Sequence, residues 1–569
     1  MCGKLTAFLP IALYPDAILE AFLREKTHYR KPYELMSSTE VAGLDWSTGK
    51  LLPAFQTPQE LTVYDIRRAS TETKISVTTF VGLINRPRPQ VYLFMNDDDV
   101  FWLDTVFNSV PHTTSANDND TVLDALLDSY ARCLQGMVIY DPALPDSINI
   151  ATTIAGQRDA LVVSPVQARR LQSTRQYKVL EDLRTYRWKS RGAAYEWALR
   201  NLRSGASSRL VAGLDPKNAG GLRSFLTATR TFVYWLDARN VVPYHMNGLR
   251  SEHALMKQIL NSFPAGAVHL GWFQNESSGV SLTSEVGLPV LASDHFFNLE
   301  VWTSLQEVST PKPTPRAIPQ IDSSKVYVSF TISDGDNIQF SQHHMRRLWN
   351  DPTRGSIPIG WTISPMLGQD MPALAAYYMN SASPNDELVA GPSGAGYMFP
   401  SRWPSERLPA FLQQTGQAMQ QMGITTIELL DADLFQRSGI PLVVYVGGTF
   451  MAVTDDSLHK QFASALQPYG LTGILHGAGK RRDRLAFSGN GVPIYRNLGL
   501  ARNVRHTIRL IKNATMAHRK RPLFLNVYIL AWTMNPSMLK QVVQQLGDTY
   551  EFVTPSVLLS MLSQTHRKV

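Results

Sequence analysis

Two carboxylates two residues apart, Asp334 and Asp336, stand where a strand-forming run stops. The run is Val326-Tyr327-Val328-Ser329-Phe330-Thr331-Ile332, apolar and β-branched, and it reads as a buried strand. Ser333-Asp334-Gly335-Asp336-Asn337 follows. Residues two apart on an extended chain face the same way, roughly 7 Å apart, and Gly335 lets the backbone turn between the two acids. Carboxylates held side by side repel, so one keeps a proton or the pair takes up a cation. Acid and base forms of one residue type at one place are what proton-transfer chemistry needs. The same residues also suit a strand-end turn in which Asp side chains cap backbone N–H groups.

The elements that would position this pair come from the back half of the chain. Strand-like runs at Val326–Ile332, Pro358–Ile363, Glu387–Ala390, Thr426–Leu430, Pro441–Val446, Gly473–His476, Leu523–Leu530 and Glu551–Val553 alternate with helices. One helix is predicted over Glu406–Met422, with Leu408, Phe411, Leu412, Met419 and Met422 on one face and Gly423 as its stop. Another opens at Asn535-Pro536 and ends before Gly547. About eight short parallel strands over 325–569 predict a β/α barrel, with an open doubly wound sheet as the alternative. In both folds reactive groups sit at the carboxyl ends of strands, the position of Asp334 and Asp336.

The front half reads differently. Residues 1–60 form a lead-in segment, helix-like over Asp16–Arg24, and 61–308 an α/β repeat domain. Within it three copies of a strand, turn and second strand recur. They are Met137–Asp141 with Ala160–Ser164, Leu210–Asp215 with Phe232–Asp237, and Val268–Gly271 with Pro289–Asp294. The first two copies turn on Asp-Pro, whereas the third carries Trp272-Phe273-Gln274-Asn275-Glu276. Residues 309–324, with Pro311, Pro313, Pro315 and Pro319, form an extended linker.

Composition narrows the class. The chain has 569 residues, 44% hydrophobic and 18% charged, which implies a folded protein of two or more domains. Two cysteines exclude a disulfide scaffold and a four-cysteine zinc site. The net charge of +8 is spread along the chain, and the runs Lys480–Arg484 and Arg519–Arg521 are short. Solvated loops account for them, and no nucleic-acid partner is expected. No stretch has the length of a membrane span. The apolar Leu5–Leu13 run is broken by Pro10, preceded only by Lys4 and followed by no clear cleavage site, so it is not read as a signal peptide. A start site placed too far downstream would look the same, which leaves export open.

A glycine-rich loop, Gly391-Pro392-Ser393-Gly394-Ala395-Gly396-Tyr397-Met398-Phe399-Pro400, follows the strand ending at Ala390. Its glycines permit close approach to a ligand, and Tyr397 and Phe399 offer ring faces. Its spacing is neither a dinucleotide fingerprint nor a phosphate loop. By spacing alone a turn packed on the core fits equally well.

Gly394-Ala395-Gly396-Tyr397-Met398-Phe399-Pro400 resembles the motif that names the GxGYxYP family, assigned as glycoside hydrolases, with Phe399 in place of the second tyrosine. The stretches Phe330–Gln339, Gly360–Pro365 and Asn385–Glu387 resemble that family too, in order, over roughly 60–560. The resemblance implies three divergent N-terminal repeats, a C-terminal β/α barrel and a cleft between them. It also implies a catalytic carboxylate triad of Asp334, Asp336 and an N-terminal glutamate, a place that Glu276 fits. Glu276, flanked by Trp272 and Phe273, would then be the proton donor, and the aspartates would position and deprotonate water, with inversion the expected outcome. Gln274, Asn275 and Asn337 would bind sugar hydroxyls. Trp361, Tyr397 and Trp532 would be stacking platforms, beside Gly394 and Gly396.

The expected partner is therefore a poly- or oligosaccharide, with no metal and no cofactor. Two alternatives stand beside it. One is a metal-assisted carbohydrate deacetylase, for which no His-x-x-x-His pair follows the aspartates. The other is a sugar-binding protein without turnover. Asp431 and Asp433 repeat the strand-end spacing but suit helix capping. Asp294-His295 could reach the cleft. His343-His344 are adjacent and diverge on a helix, so no shared metal is expected of them, and His476, alone at a strand end, reads as structural.

Overall fold

A computed structural model describes residues 41, 44–241, 243–245, 248–306, 316–431, 456–477, 485–488 and 490–567. The helix expected over Asp16–Arg24, the strand Pro441–Val446, Asp433, the basic run Lys480–Arg484 and residues 309–315 of the proline-rich linker lie outside the described residues.

The front half is built from three small parallel sheets. The first contains β1 (Leu61–Asp65), β2 (Val91–Phe94) and β3 (His112–Asp118), in the order β2-β1-β3. The second contains β4 (Gly136–Ile139), β5 (Ala160–Val163) and β6 (Val179–Asp182), in the order β5-β4-β6. The third joins β7 (Leu210–Gly213) and β8 (Phe232–Tyr234) to β11 (Val268–Gly271) and β12 (Val290–Ala292), in the order β12-β11-β7-β8. A two-stranded hairpin, β9 (Pro243–His245) and β10 (Gly248–Ser251), interrupts it.

This differs from the repeat read in the sequence. Copies two and three are halves of one sheet, because β7 pairs with β11 over its whole length. The remaining unit is the stretch around β1–β3. Its strand β3 reads His-Thr-Thr-Ser-Ala-Asn-Asp and is mostly exposed. Without an apolar run it carries no strand signal.

The back half is a parallel sheet curled into a half-barrel. Its strands are β13 (Val326–Ile332), β14 (Ile359–Ile363), β15 (Asp386–Ala390), β16 (Thr426–Leu429), β17 (Gly473–His476), β18 (Leu485–Phe487), β19 (Pro493–Arg496), β20 (Leu500–Ala501), β21 (Leu523–Ile529) and β22 (Tyr550–Phe552). They run β18-β19-β17-β16-β15-β14-β13-β21-β20, with β22 on β13, and β18 alone is antiparallel. β18, β19 and β20, at two to four residues each, were too short to register as strands in the sequence.

β13 is fully buried and pairs with β14, β21 and β22. Its seven-residue register with β21 makes it the spine of the sheet. Its polar residues are satisfied by the sheet itself: Ser329 and Thr331 donate to Asn526 Oδ1 at 2.6 and 3.1 Å. The helices Leu408–Met422 and Pro536–Leu546 form as expected, with Gly423 in the left-handed region and Asn535 as N-cap.

The turn after β13 is fixed by contact. Gly335 N–H donates to Thr362 Oγ1 at 2.9 Å, and a Cβ on Gly335 would lie 1.6 Å from the Thr362 carbonyl oxygen. Only glycine lets the chain pass there. Gly335→Ala is predicted to destabilise the protein by about 3 kcal/mol, seen as a lower urea midpoint, whereas Gly547→Ala, with open space around its Cβ, should cost less.

Candidate active site

Asp334 and Asp336 do come off the carboxyl end of β13, and Glu276 meets them from the front half. Asp334 takes a left-handed backbone conformation, φ +73°, which is uncommon for a residue other than glycine. Its carboxylate accepts a hydrogen bond from Trp532 Nε1 at 3.0 Å and another from the Ser333 hydroxyl. Trp532, half exposed after β21, lies flat on His344, with ring centroids 4.8 Å apart at 18°. The indole thus offers one face and uses its N–H to orient Asp334. Asp336 is 8% exposed.

Glu276 opens the helix Glu276–Glu285, whose N-cap is Asn275. Its Oε1 accepts from the Tyr397 hydroxyl at 3.0 Å. Tyr397 is brought there by backbone pairing across the domain seam. Val290 N donates to Tyr397 O at 3.0 Å and Tyr397 N to Val290 O at 2.8 Å, so the motif loop adds a short antiparallel bridge beside β12. The Trp272 ring lies nearly parallel to that of Tyr397, at 6.3 Å and 12°.

The electrostatics follow from burial without a compensating arginine or lysine. Burial pushes the Glu276 carboxyl up to about 7, the Tyr397 hydrogen bond pulls it down, and the charge of Asp334 pushes it up. Asp336 is raised well above the carboxylate range, by burial first and then by Asp334 and Glu276. Asp334 is raised by burial, against the Ser333 and Trp532 hydrogen bonds and His344. Asp334 therefore has donors that favour its ionised form, whereas Asp336 has two acidic neighbours that favour its proton.

One member of the cluster was missed in the sequence. Glu428 on β16 is fully buried, and neither of its oxygens has a well-formed hydrogen bond among the described residues. Its polar neighbour is the Tyr528 phenol on β21, and burial, with Asp336 and Asp334, raises its pKa well above the usual range. β16 and β21 lie four places apart in the sheet. Their side chains meet because the sheet curls, a relation no local pattern in the sequence encodes.

Several expected sugar contacts are engaged elsewhere. Trp361 is not a platform: it is fully buried in β14, donates to Asp386 Oδ1 at 2.9 Å and packs on Trp349. Gly394 and Gly396 do not line a ligand space. A Cβ on Gly394 would lie 2.5 Å from Thr415 Oγ1, and one on Gly396 2.8 Å from Pro289 Cβ. Both have positive φ, so these glycines let the loop press on its own helix and on the third front unit. Asn275 and Asn337 use their side-chain oxygens as helix caps, toward Ser278 N and Phe340 N. The Gln274 amide, with its oxygen turned toward donors, faces Arg191 and Trp235.

Asp431 accepts from the Ser401 hydroxyl at 2.7 Å. His476 is buried against His459 at 3.1 Å. Asp294 and His295 pack on the segment after the aspartates, where His343 Nε2 meets the His295 carbonyl oxygen at 3.0 Å.

That segment is also held by the first front unit. Asp98, buried in the helix Asp97–Thr105, accepts from Arg346 Nε at 2.8 Å, Arg347 Nη2 at 2.7 Å and His343 Nδ1 at 3.0 Å. Burial would raise its pKa, but these partners lower it to about 2. Trp102 Nε1 donates to the Gln342 carbonyl oxygen at 2.7 Å, and Gln342 exchanges hydrogen bonds with the Phe297 backbone at 2.9 Å.

A barrel-end carboxylate cluster closed by a front domain of three α/β units defines a multidomain α/β protein of the barrel-based enzyme type. The chain belongs to the GxGYxYP family. Residues 60–132, 134–206 and 208–304 match its first, second and third N-terminal domains, and 324–563 match the "GxGYxYP putative glycoside hydrolase C-terminal domain". Among solved structures, a "putative hydrolase" from Bacteroides thetaiotaomicron is similar over 92% of this chain and 99% of its own. Its TM-score is 0.75 and its sequence identity 22%, a likeness of fold. A "putative polysaccharide deacetylase" from Mycobacterium smegmatis overlaps 46% of this chain and 96% of its own, at 10% identity and a TM-score of 0.29, too low to bear on function. A search of curated proteins gave no match.

Two outcomes follow from the burial of these acids. Tyr397→Phe removes a donor to Glu276, so its titration should move upward from about 7, read as the carboxyl infrared band missing in Glu276→Gln. Glu428 has a raised folded-state pKa, so the native state holds its proton more tightly than the unfolded chain. Its contribution to stability therefore falls as pH rises above the ordinary carboxylate range. Glu428→Gln should gain thermal stability over wild type between pH 5 and pH 8, measured by calorimetry.

Proposed function

We propose that the protein hydrolyses a glycosidic bond of a poly- or oligosaccharide in the groove between the third front unit and the half-barrel. The observation that supports this best is the Glu276–Tyr397 pair facing Asp334 across the seam. A carboxyl held near 7 by burial can carry a proton at neutral pH and release it to a leaving oxygen. Asp334, supplied with two donors, is the carboxylate that keeps its charge.

In this reading Glu276 gives its proton to the glycosidic oxygen as the bond from that oxygen to the anomeric carbon breaks. Asp334 takes a proton from water, and the water oxygen bonds to the same carbon. Asp336, kept protonated by its neighbours, donates a hydrogen bond that places the water or the sugar. Trp532 supplies a face for a sugar ring. The water needs room between acid and base, roughly 6.5–9.5 Å between the carboxyls, and the product inverts.

The test is reducing-sugar release from a panel of polysaccharides, with proton NMR of the first-formed anomer. Glu276→Gln and Asp334→Asn should each lower kcat by about 10²–10⁴-fold with KM little changed. The kcat/KM profile should fall above about pH 7 in wild type as Glu276 loses its proton. Full activity in Glu276→Gln would defeat the reading.

A further inference from the structure

Ser333 and Trp532 orient Asp334, and Tyr397 orients Glu276. Asp336 is held differently: among the described residues the one donor that pulls its raised pKa down is its own backbone N–H. Its carboxyl therefore lacks the side-chain donor that its two neighbours have, and the sheet beneath it shows where one comes from.

Asp336 rests on the bare backbone just past β15. A Cβ on Gly391 would lie 2.7 Å from Asp336 N and 3.2 Å from Asp336 Cβ. Gly391 N–H donates to the Ile363 carbonyl oxygen at 2.9 Å, which carries the parallel pairing one residue beyond Ala390. Ala390 pairs with Ile427 on β16, so Gly391 and Glu428 follow as neighbours on one face of the sheet. The next side chain along this row from Asp336 is that of Glu428.

Glu428 is set up to carry a proton. Ile427 and Leu429 join the main apolar core, as do Val527 and Ile529 on β21. Glu428 and Tyr528, between them, point the other way, into the curl of the sheet. The carboxyl is fully buried, and neither oxygen has a well-formed hydrogen bond among the described residues. The groups that face it are the Tyr528 phenol and the acids Asp336 and Asp334. With no cation to offset a charge, the neutral form is the favoured one. A neutral carboxyl has one O–H to give and a carbonyl oxygen to receive. The Tyr528 phenol serves the receiving side, and a buried O–H left without an acceptor is costly. Along the row, the acceptor is Asp336.

We infer that Glu428 is the positioning residue of Asp336: its O–H, steadied by Tyr528, donates to the Asp336 carbonyl oxygen beside Gly391, directly or through one bridging water, and so turns the Asp336 O–H toward the groove. The donors then run one way, from Tyr528 to Glu428 to Asp336 to the groove, and each bond in such a chain polarises the next. The pairing of tyrosine with glutamate repeats the one at the domain seam, where Tyr397 donates to Glu276. The inference deepens the hydrolase reading by supplying the hold on one of its acids, and rests on that reading only for what Asp336 then touches.

The experiment is infrared spectroscopy of the full chain at neutral pH, where protonated carboxyls absorb apart from carboxylates. The Asp336 band is the one absent from Asp336→Asn, and the Glu428 band the one absent from Glu428→Gln. In Glu428→Leu, close in size but without a donor, the Asp336 band should move to higher frequency, as it does when a carbonyl oxygen loses a hydrogen bond. In Glu428→Gln, whose amide still donates, it should stay near its wild-type place. Tyr528→Phe keeps the packing and should raise the Glu428 band in the same way. On a glycan that the protein cleaves, Glu428→Leu should lower kcat about 10–100-fold with KM little changed, and Glu428→Gln should recover most of that loss. An Asp336 or Glu428 band missing from wild type, an Asp336 band unmoved in Glu428→Leu, or equal kcat losses in the leucine and glutamine variants would each overturn the inference. The bands are read without substrate. Shifts as expected with no glycan cleaved defeat only the hydrolase reading, and cleavage with unmoved bands defeats only this one.

Discussion

Two backbone hydrogen bonds between Val290 and Tyr397 decide where the site can be. They tie the third front unit to the loop after β15. Each partner is tied to the carboxylate cluster. Tyr397 carries the phenol that reaches Glu276, and β12 lies next to β11, whose following turn leads into the Glu276 helix. Glycines at 394 and 396 are what let the loop come close enough, since any side chain there would strike Thr415 or Pro289. The motif that looks made for a ligand is thus an inter-domain joint. Its tyrosine reaches the chemistry because the joint is tight.

Desolvation is the second theme. Glu276, Asp334, Asp336 and Glu428 gather with no arginine or lysine among the causes of their shifts. Charged carboxylates in such a place are costly, and an acid without donors there, such as Asp336, is pushed toward its protonated state. The fold tolerates this because β13 and β21 form a long, fully registered pair beneath it. Reactivity and stability are set against each other at the same atoms.

The sequence disclosed the back half more fully than the front. Buried parallel strands such as Val326–Ile332 are written as continuous apolar runs, and helix ends as Gly423 and Asn535. The placing of Asp334 and Asp336 was legible because it follows from the end of an apolar strand. The pairing of β7 with β11 was not, since which strands share a sheet is a long-range fact. Trp361 shows the limit for aromatics, where a core ring and a sugar platform have the same letter. Glu428 sits mid-strand between Ile427 and Leu429, and only curvature of the whole sheet gives it meaning. Glu276 was reached through a family likeness, and its contact with Tyr397 belongs to the three-dimensional structure alone.

The Asp98 cluster gives the first front unit a mechanical duty. That unit supplies no carboxylate to the cluster, yet through Asp98 and Trp102 it braces the stretch that follows the aspartates. Gln342 passes the same load to the third unit. Because its pKa is depressed to about 2, Asp98 keeps its charge, and the brace its grip, down to strongly acidic pH. The half-barrel excised from its companions would lose both Glu276 and the splint that holds its aspartates in line.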